Sequence, residues 1–198
     1  MENSVRRKLN LLDNMIGECF MCTLCQNGRT KPYWTEDSNY VIIGEAPGRD
    51  EVENNEPFVG KAGSILWKLM EKHGFQKEQF LIINSVNCRP MDGKKNGKPT
   101  PEQMTLCKKW LNMYLKVLMP LRGMMLGSYA QQTITNESSN SVVLSNSAVV
   151  MMRTESLTVP FIPMIRSVHP AYSIYSPKGE ELLEESILKF KLFRGIDE

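Results

Sequence analysis

Five cysteines, two histidines and a carboxylate in a glycine-flanked turn are the side chains of this sequence best suited to chemistry. Cys19 and Cys22 form a C-x-x-C pair, Cys88 follows a strand-like run, and Cys107 falls in a helix-like one. Together they can bring four thiolates to one site, which suits a structural zinc or an iron–sulfur cluster, and spacing does not separate the two. The plainer reading makes Cys88 and Cys107 small buried hydrophobes. Cys25, three residues past Cys22, is either a spare thiol or a substitute ligand. The odd cysteine count argues against a disulfide framework.

Glu45 lies in the turn Gly44-Glu45-Ala46-Pro47-Gly48, where backbone N–H groups can hold a carbonyl or an anion and glycine permits close approach. Asp50, Glu51 and Glu53 follow, so crowding by like charge is expected to raise the carboxyl pKa of Glu45. Phe58, in the segment PFVGKAG (57–63), is either a flat stacking face or a core aromatic. His73 precedes Gly74 at a helix end and reads as structural. His169, in SVHPAY (167–172), follows the last strand-like run.

The elements that must position these groups alternate in type. Val5, Leu9, Leu12 and Ile16 predict an opening helix over 4–18. Short apolar runs at 40–43, 80–86, 123–127 and 161–166 predict strands. Helices are expected around 65–74, after 127 and over 178–192. Thr100, Pro101 and Gln103 form a capping box that opens another helix, running to about Met119. Residues 88–100 read as a loop, and 136–160 as loop plus hairpin. Strands alternating with helices predict an α/β fold around a mainly parallel sheet of four strands flanked by helices. The expectation is one domain over 1–198, with 1–38 an N-terminal helix and cysteine segment and 39–198 the α/β core. Ligands of such sheets lie beyond the strand C-termini, so the turns carrying Glu45, Asn84 and His169 are expected to converge.

Composition sets limits around that picture. The chain has 198 residues, 41% hydrophobic and 23% charged, ordinary for a globular protein. Its apolar runs are at most roughly five residues long, too short for a membrane span. The opening residues lack the unbroken apolar core of a signal peptide, so a cytoplasmic location is expected. A net charge of +2 neither demands nor excludes nucleic acid, since a local basic groove suffices for phosphate contact. The 13 methionines fall mostly at apolar positions and read as core gap-fillers.

Taken in order, C-x-x-C (19–22) with Arg29-Thr30, GEAPGRDE (44–51), PFVGKAG (57–63), INSVNCRP (83–90), PTPEQMTLC (99–107) and HPAY (169–172) resemble the uracil-DNA glycosylase superfamily, specifically its iron–sulfur-containing family 4. The resemblance implies a [4Fe–4S] cluster on Cys19, Cys22, Cys88 and Cys107. It implies a monofunctional enzyme that hydrolyses the N-glycosidic bond of a flipped-out deoxyuridine and leaves an abasic site. Phe58 would stack on the base, and Asn84 would read its N3–H and O4 edge. His169 would donate to O2 as a neutral imidazole, and the backbone around Gly44, Glu45 and Ala46 would hold the base. Glu45 would orient water or stabilise the cationic sugar. Lys61, Ile174 and Tyr175 would touch DNA, with Ile174 a wedge into the base stack.

The chain departs from the pattern in places. Ala46 stands where better-known superfamily members carry a catalytic aspartate, and Gly48 where they carry the tyrosine that excludes thymine. Glu56 stands where family members often have arginine, as does Tyr175. The interval between Cys88 and Cys107 is longer than usual and carries Lys94, Lys95 and Lys98, which either contact phosphate or are simply solvated. The implied partner is uracil-containing DNA, single- or double-stranded, with the protein acting as a monomer. The alternatives are a glycosylase for a 5-substituted uracil such as hydroxymethyluracil, and a non-catalytic DNA-binding module of a repair or replication assembly.

Overall fold

Side chains alternate across the pleat of β1 (Tyr40–Gly44): Val41 and Ile43 enter one apolar cluster and Ile42 the opposite one. The structure, a computed structural model, describes residues 4–135, 149–153 and 161–193. Helix α1 (Ser4–Gly17) comes first, and β1 leads into the short α2 (Arg49–Asn54) and then α3 (Lys61–Lys72). Strand β2 (Phe80–Asn84) precedes an exposed hairpin of β3 (Met91–Asp92) and β4 (Lys95–Asn96), after which comes α4 (Pro101–Leu118). Next are β5 (Arg122–Leu126), α5 (Ser128–Thr135), β6 (Val149–Arg153), β7 (Phe161–Ser167), α6 (Tyr172–Tyr175) and α7 (Pro177–Leu192).

The main sheet runs β2-β1-β5-β7-β6. Its first four strands are parallel, as the sequence predicts, and β6 adds a fifth, antiparallel edge. Both sheet faces are covered. Leu9, Leu12 and Ile16 of α1, with Trp110, Leu111 and Tyr114 of α4, pack on one. Leu66, Leu69 and Met70 of α3, with Leu183, Ile187 and Phe190 of α7, pack on the other. Burying each such large apolar side chain stabilises the fold by about 1.5–3 kcal/mol. Among the described residues, no helix is long and apolar enough to cross a membrane.

Two stretches depart from the sequence reading. The expected loop over 88–100 holds the β3–β4 hairpin, whose turn is made by Gly93 at φ 58°. Asp92-Gly93 is a hairpin dipeptide that could have revealed it. The acidic run after Gly48 is helical, capped by Glu51, whose carboxylate accepts from the Gly48 N–H at 3.0 Å. Of the loop and hairpin expected over 136–160, only the strand 149–153 falls within the described residues.

Gly63 fixes how close α3 comes to the loop before it. A Cβ there would sit 1.8 Å from the carbonyl oxygen of Phe58. Backbone against backbone cannot yield by a rotamer change, so Gly63→Ala is expected to destabilise the protein by about 3 kcal/mol, read as a lower urea midpoint. An unchanged midpoint would show that the Phe58 loop is not held where it is described.

Candidate active site and cysteine cavity

Parallel register places Gly44 of β1 directly beside Asn84 of β2, at the C-terminal edge of the sheet. A Cβ on Gly44 would lie 2.3 Å from Asn84 Oδ1 and 2.8 Å from Phe58 Cζ. The missing side chain therefore lets the carboxamide and the aromatic ring meet. Phe58 is buried and adopts a left-handed φ of 57°, unusual for a bulky residue. Asn84 is 5% exposed, with its carboxamide beside Gly44 at the groove. A carboxamide carries donors on one side and an acceptor on the other, which suits a planar polar edge.

His169 enters from β7. The Ala171 N–H donates to its Nδ1 at 3.1 Å, so the neutral ring carries its hydrogen on Nε2. Burial pushes the imidazole pKa down to about 4, and the Lys98 ammonium adds to that shift. The ring is therefore a neutral N–H donor, with its centroid 6.1 Å from that of Phe58 and the two planes 31° apart.

Glu45 meets Lys98, whose Nζ lies 3.1 and 3.4 Å from the two carboxylate oxygens. This corrects the expectation of crowding by the acidic run. Glu51 is occupied elsewhere: its carboxylate accepts from the Gly48 and Gly60 N–H groups, each at 3.0 Å, and ties the turn at 44–48 to the loop before α3. Glu51 was missed by the sequence reading, although an acid three residues past a turn glycine is a capping signal.

These groups line an open groove of about 850 Å³. Glu45, Ala46, Phe58, Asn84 and His169 lie along it, with Gly44 beneath. Lys61, at the start of α3, and Ile174 and Tyr175, on α6, lie along it too. Ile174 is 41% and Tyr175 85% exposed, so both side chains reach solvent. The lining also includes Arg49, Arg89, Lys94, Lys95 and Lys98, against the acids Glu45, Asp50 and Glu51. That excess of cations suits a polyanion. The hairpin bearing Lys94 and Lys95 is tied in place by Arg89 Nε donating to Asn96 Oδ1 at 2.7 Å and by Gly97 N–H donating to Pro90 O at 2.9 Å.

Cys19, Cys22, Cys25, Cys88 and Cys107 line a second, small cavity walled by Met21, Leu24, Val86, Leu106 and Trp110. Arg29 fastens this segment, donating from Nη1 to the carbonyls of Ile16, Gly17 and Cys19 at 2.7, 2.8 and 3.0 Å. Burial pushes the Cys88 thiol up to about 11, with Arg29 pulling against it, and Cys107 up to about 12, with a hydrogen bond from the Asn87 N–H pulling against it. Neighbouring cysteines add to both shifts. Among the described residues, no three His, Cys, Asp or Glu side chains are drawn to the spacing of a single metal ion. A cavity of thiols in apolar walls nevertheless has the donor set of a soft, thiolate-bound metal group, because such a group relieves the burial and crowding of the thiols.

The sequence model of the Uracil DNA glycosylase superfamily matches residues 32–191. The chain is 31% identical over 183 residues to the Type-4 uracil-DNA glycosylase of Archaeoglobus fulgidus, covering 90% of each chain. It is 27% identical over 190 residues to the Type-4 uracil-DNA glycosylase of Thermotoga maritima, covering 93% of this chain and 94% of the other. A shorter match, 25% identical over 116 residues, is to the Type-5 uracil-DNA glycosylase of Thermus thermophilus, covering 48% of this chain and 51% of the other.

Proposed function

The chain belongs to the Uracil DNA glycosylase superfamily, and from that premise we propose that it is a uracil-DNA glycosylase of base excision repair. It takes a flipped-out deoxyuridine into the groove, hydrolyses the bond between N1 and C1′, and leaves an abasic site. The observation that carries this reading is the meeting of a buried carboxamide, an aromatic ring and a neutral imidazole donor at one sheet edge.

As N1–C1′ breaks, the bonding pair leaves with uracil, and C1′ gains cationic character until the oxygen of water adds to it. The added water loses a proton to solvent and the uracil anion takes one up, leaving neutral uracil and an abasic sugar. Phe58 stacks on the base. The Asn84 carboxamide donates to O4 and accepts from N3–H, a pattern that cytosine reverses. His169 Nε2–H donates to O2, where negative charge collects, and needs no reorganisation to do so. The backbone around Gly44 and Ala46 holds the base, and the Glu45 carboxylate faces the sugar and orients water. Lys61, Lys94 and Lys95 meet phosphates, Ile174 enters the stack, and Tyr175 lies beside it. The reading includes no lyase step.

The cysteine cavity is assigned to a [4Fe–4S] cluster on Cys19, Cys22, Cys88 and Cys107, with Cys25 the remaining thiol. When bound, such a cluster supplies Fe–S bonds that cross-link the end of α1, the segment after β2 and α4. Matched iron and acid-labile sulfide in the purified protein supports it. Zinc without iron overturns it.

The test of function is base release from matched oligonucleotides bearing uracil, thymine, cytosine or 5-hydroxymethyluracil, with strand scission only after alkali. Release at uracil alone supports the reading. Release at 5-hydroxymethyluracil in preference to uracil moves the assignment to a 5-substituted base, a reading favoured only by the absence of a side chain at Gly48. Tight binding to uracil-containing DNA without release would leave a binding module.

A further inference from the structure

Lys98 belongs to none of the segments that carry the family resemblance. Besides holding both oxygens of Glu45, its Nζ lies 5.2 Å from the centroid of the Tyr129 ring. The Lys98 side chain is 67% exposed, whereas that of Glu45 is only 16% exposed. Exposed ion pairs contribute little to stability, but a mostly buried carboxylate and an aromatic face on the same ammonium give this pair a defined geometry. The backbone adds to that definition. Gly97 is bonded back to Pro90, and Lys98 is followed by Pro99 and by Thr100, the cap of α4.

Lys98 also stands between two cavities. It lines the main groove and a second cleft of about 570 Å³ that His169 also lines. Of the charged and titratable groups along that cleft, Glu45 comes from the turn after β1 and Lys98 from the loop before α4. Arg166 comes from β7, Tyr172 from α6, and Glu185 and Lys189 from α7. Tyr129 of α5 faces Lys98 itself.

We propose that Lys98 is a positioning residue of the excision reaction: it acts through Glu45, fixing the carboxylate at the edge of the groove, and keeps a positive charge beside the imidazole of His169. The inference rests on the glycosylase reading. It separates Lys98 from Lys94 and Lys95, which lie along the same groove but form no ion pair with Glu45. The lowered pKa of His169, to which Lys98 contributes, agrees with this arrangement.

The test compares Lys98→Gln, Lys98→Arg, Glu45→Ala and the double variant Glu45→Ala/Lys98→Gln with the intact, cluster-loaded protein. Uracil release is followed under single turnover at saturating enzyme, and affinity for uracil-containing DNA by fluorescence anisotropy. Lys98→Gln is expected to slow release about 10- to 100-fold, as misplacement of a reacting group does. Its Kd is expected to change less than about threefold, and Lys98→Arg to recover most of the rate. In the Glu45→Ala background Lys98→Gln is expected to cost nothing further, because residues acting as a unit are not additive. NMR titration provides a readout without turnover, because the chain has only two histidines. In Lys98→Gln the His169 midpoint is expected to rise.

Weakened affinity with an unchanged rate would make Lys98 a phosphate contact and overturn the inference. Multiplying effects in the double variant, or an unmoved His169 midpoint, would overturn it as well. Failure of the underlying reading shows in the intact protein, which would release no uracil. Failure of this inference shows only in the variants.

Discussion

His169→Ala is expected to release uracil about 10²–10³-fold more slowly than the intact protein at saturating enzyme, the usual cost of deleting one donor to a developing anion. The expectation follows from hydrogen positions. The Ala171 N–H points at Nδ1, so Nε2 carries the hydrogen of the neutral ring. Because the donor is fixed before the bond breaks, its removal weakens the transition state more than the bound substrate. The loss should therefore appear in the single-turnover rate, with affinity for uracil-containing DNA changed less. Loss of affinity at an unchanged rate would make His169 a binding residue only.

The same imidazole gives a stability signature whose sign can be worked out. Its folded pKa is about 4 against an ordinary 6.5. Between those values the unfolded chain takes up a proton that the folded protein refuses, so stability falls as pH drops from 6.5 to 4. The full effect is at most about 3 kcal/mol. Above the unfolded value the contribution is flat. Urea midpoints across this window should slope for the intact protein and flatten for His169→Ala.

Much of the sheet and its rim was legible in the sequence because the signals were local. Ile42 and Ile43 sit in a short apolar run ending at a glycine turn, and the same pattern recurs before Asn84. Two parallel strands of equal phase then bring the residues after them together, and Gly44 beside Asn84 is that consequence. The Thr100 capping box was equally local, and its hydrogen bonds to and from Gln103 are present at 3.2 and 2.9 Å. What stayed hidden was which group each charged side chain meets. Glu51 read as one more acid crowding Glu45, yet it holds two loops through Gly48 and Gly60. Lys98 read as a solvated or phosphate-binding lysine, yet it lies against a carboxylate 53 positions away in sequence. The partner of Lys98 could not be chosen from composition or period, because that pairing is set by where the sheet edge places the turn after β1.

Asn84→Asp is expected to reduce uracil release about 10³-fold while leaving the fold intact, since the two side chains are isosteric. The carboxamide offers uracil one donor and one acceptor. A carboxylate offers two acceptors, so the oxygen that replaces the amide nitrogen faces O4 with lone pair against lone pair. The mismatch is severe because position 84 is only 5% exposed. A buried polar group left unpaired costs about 1–3 kcal/mol, more when charged, and sites built on such pairs discriminate far more strongly than sites built on shape. The variant also makes a second, opposite expectation. Cytosine presents an N4 amine and an N3 lone pair, which a protonated carboxyl can accept from and donate to. Release of cytosine should therefore rise from its baseline as uracil release falls. Matched oligonucleotides differing only in that base, with the melting temperature recorded alongside, decide the matter. If Asn84→Asp released uracil within about tenfold of the intact rate, edge reading by residue 84 would be wrong, and selectivity would have to come from the backbone of the Gly44–Ala46 turn.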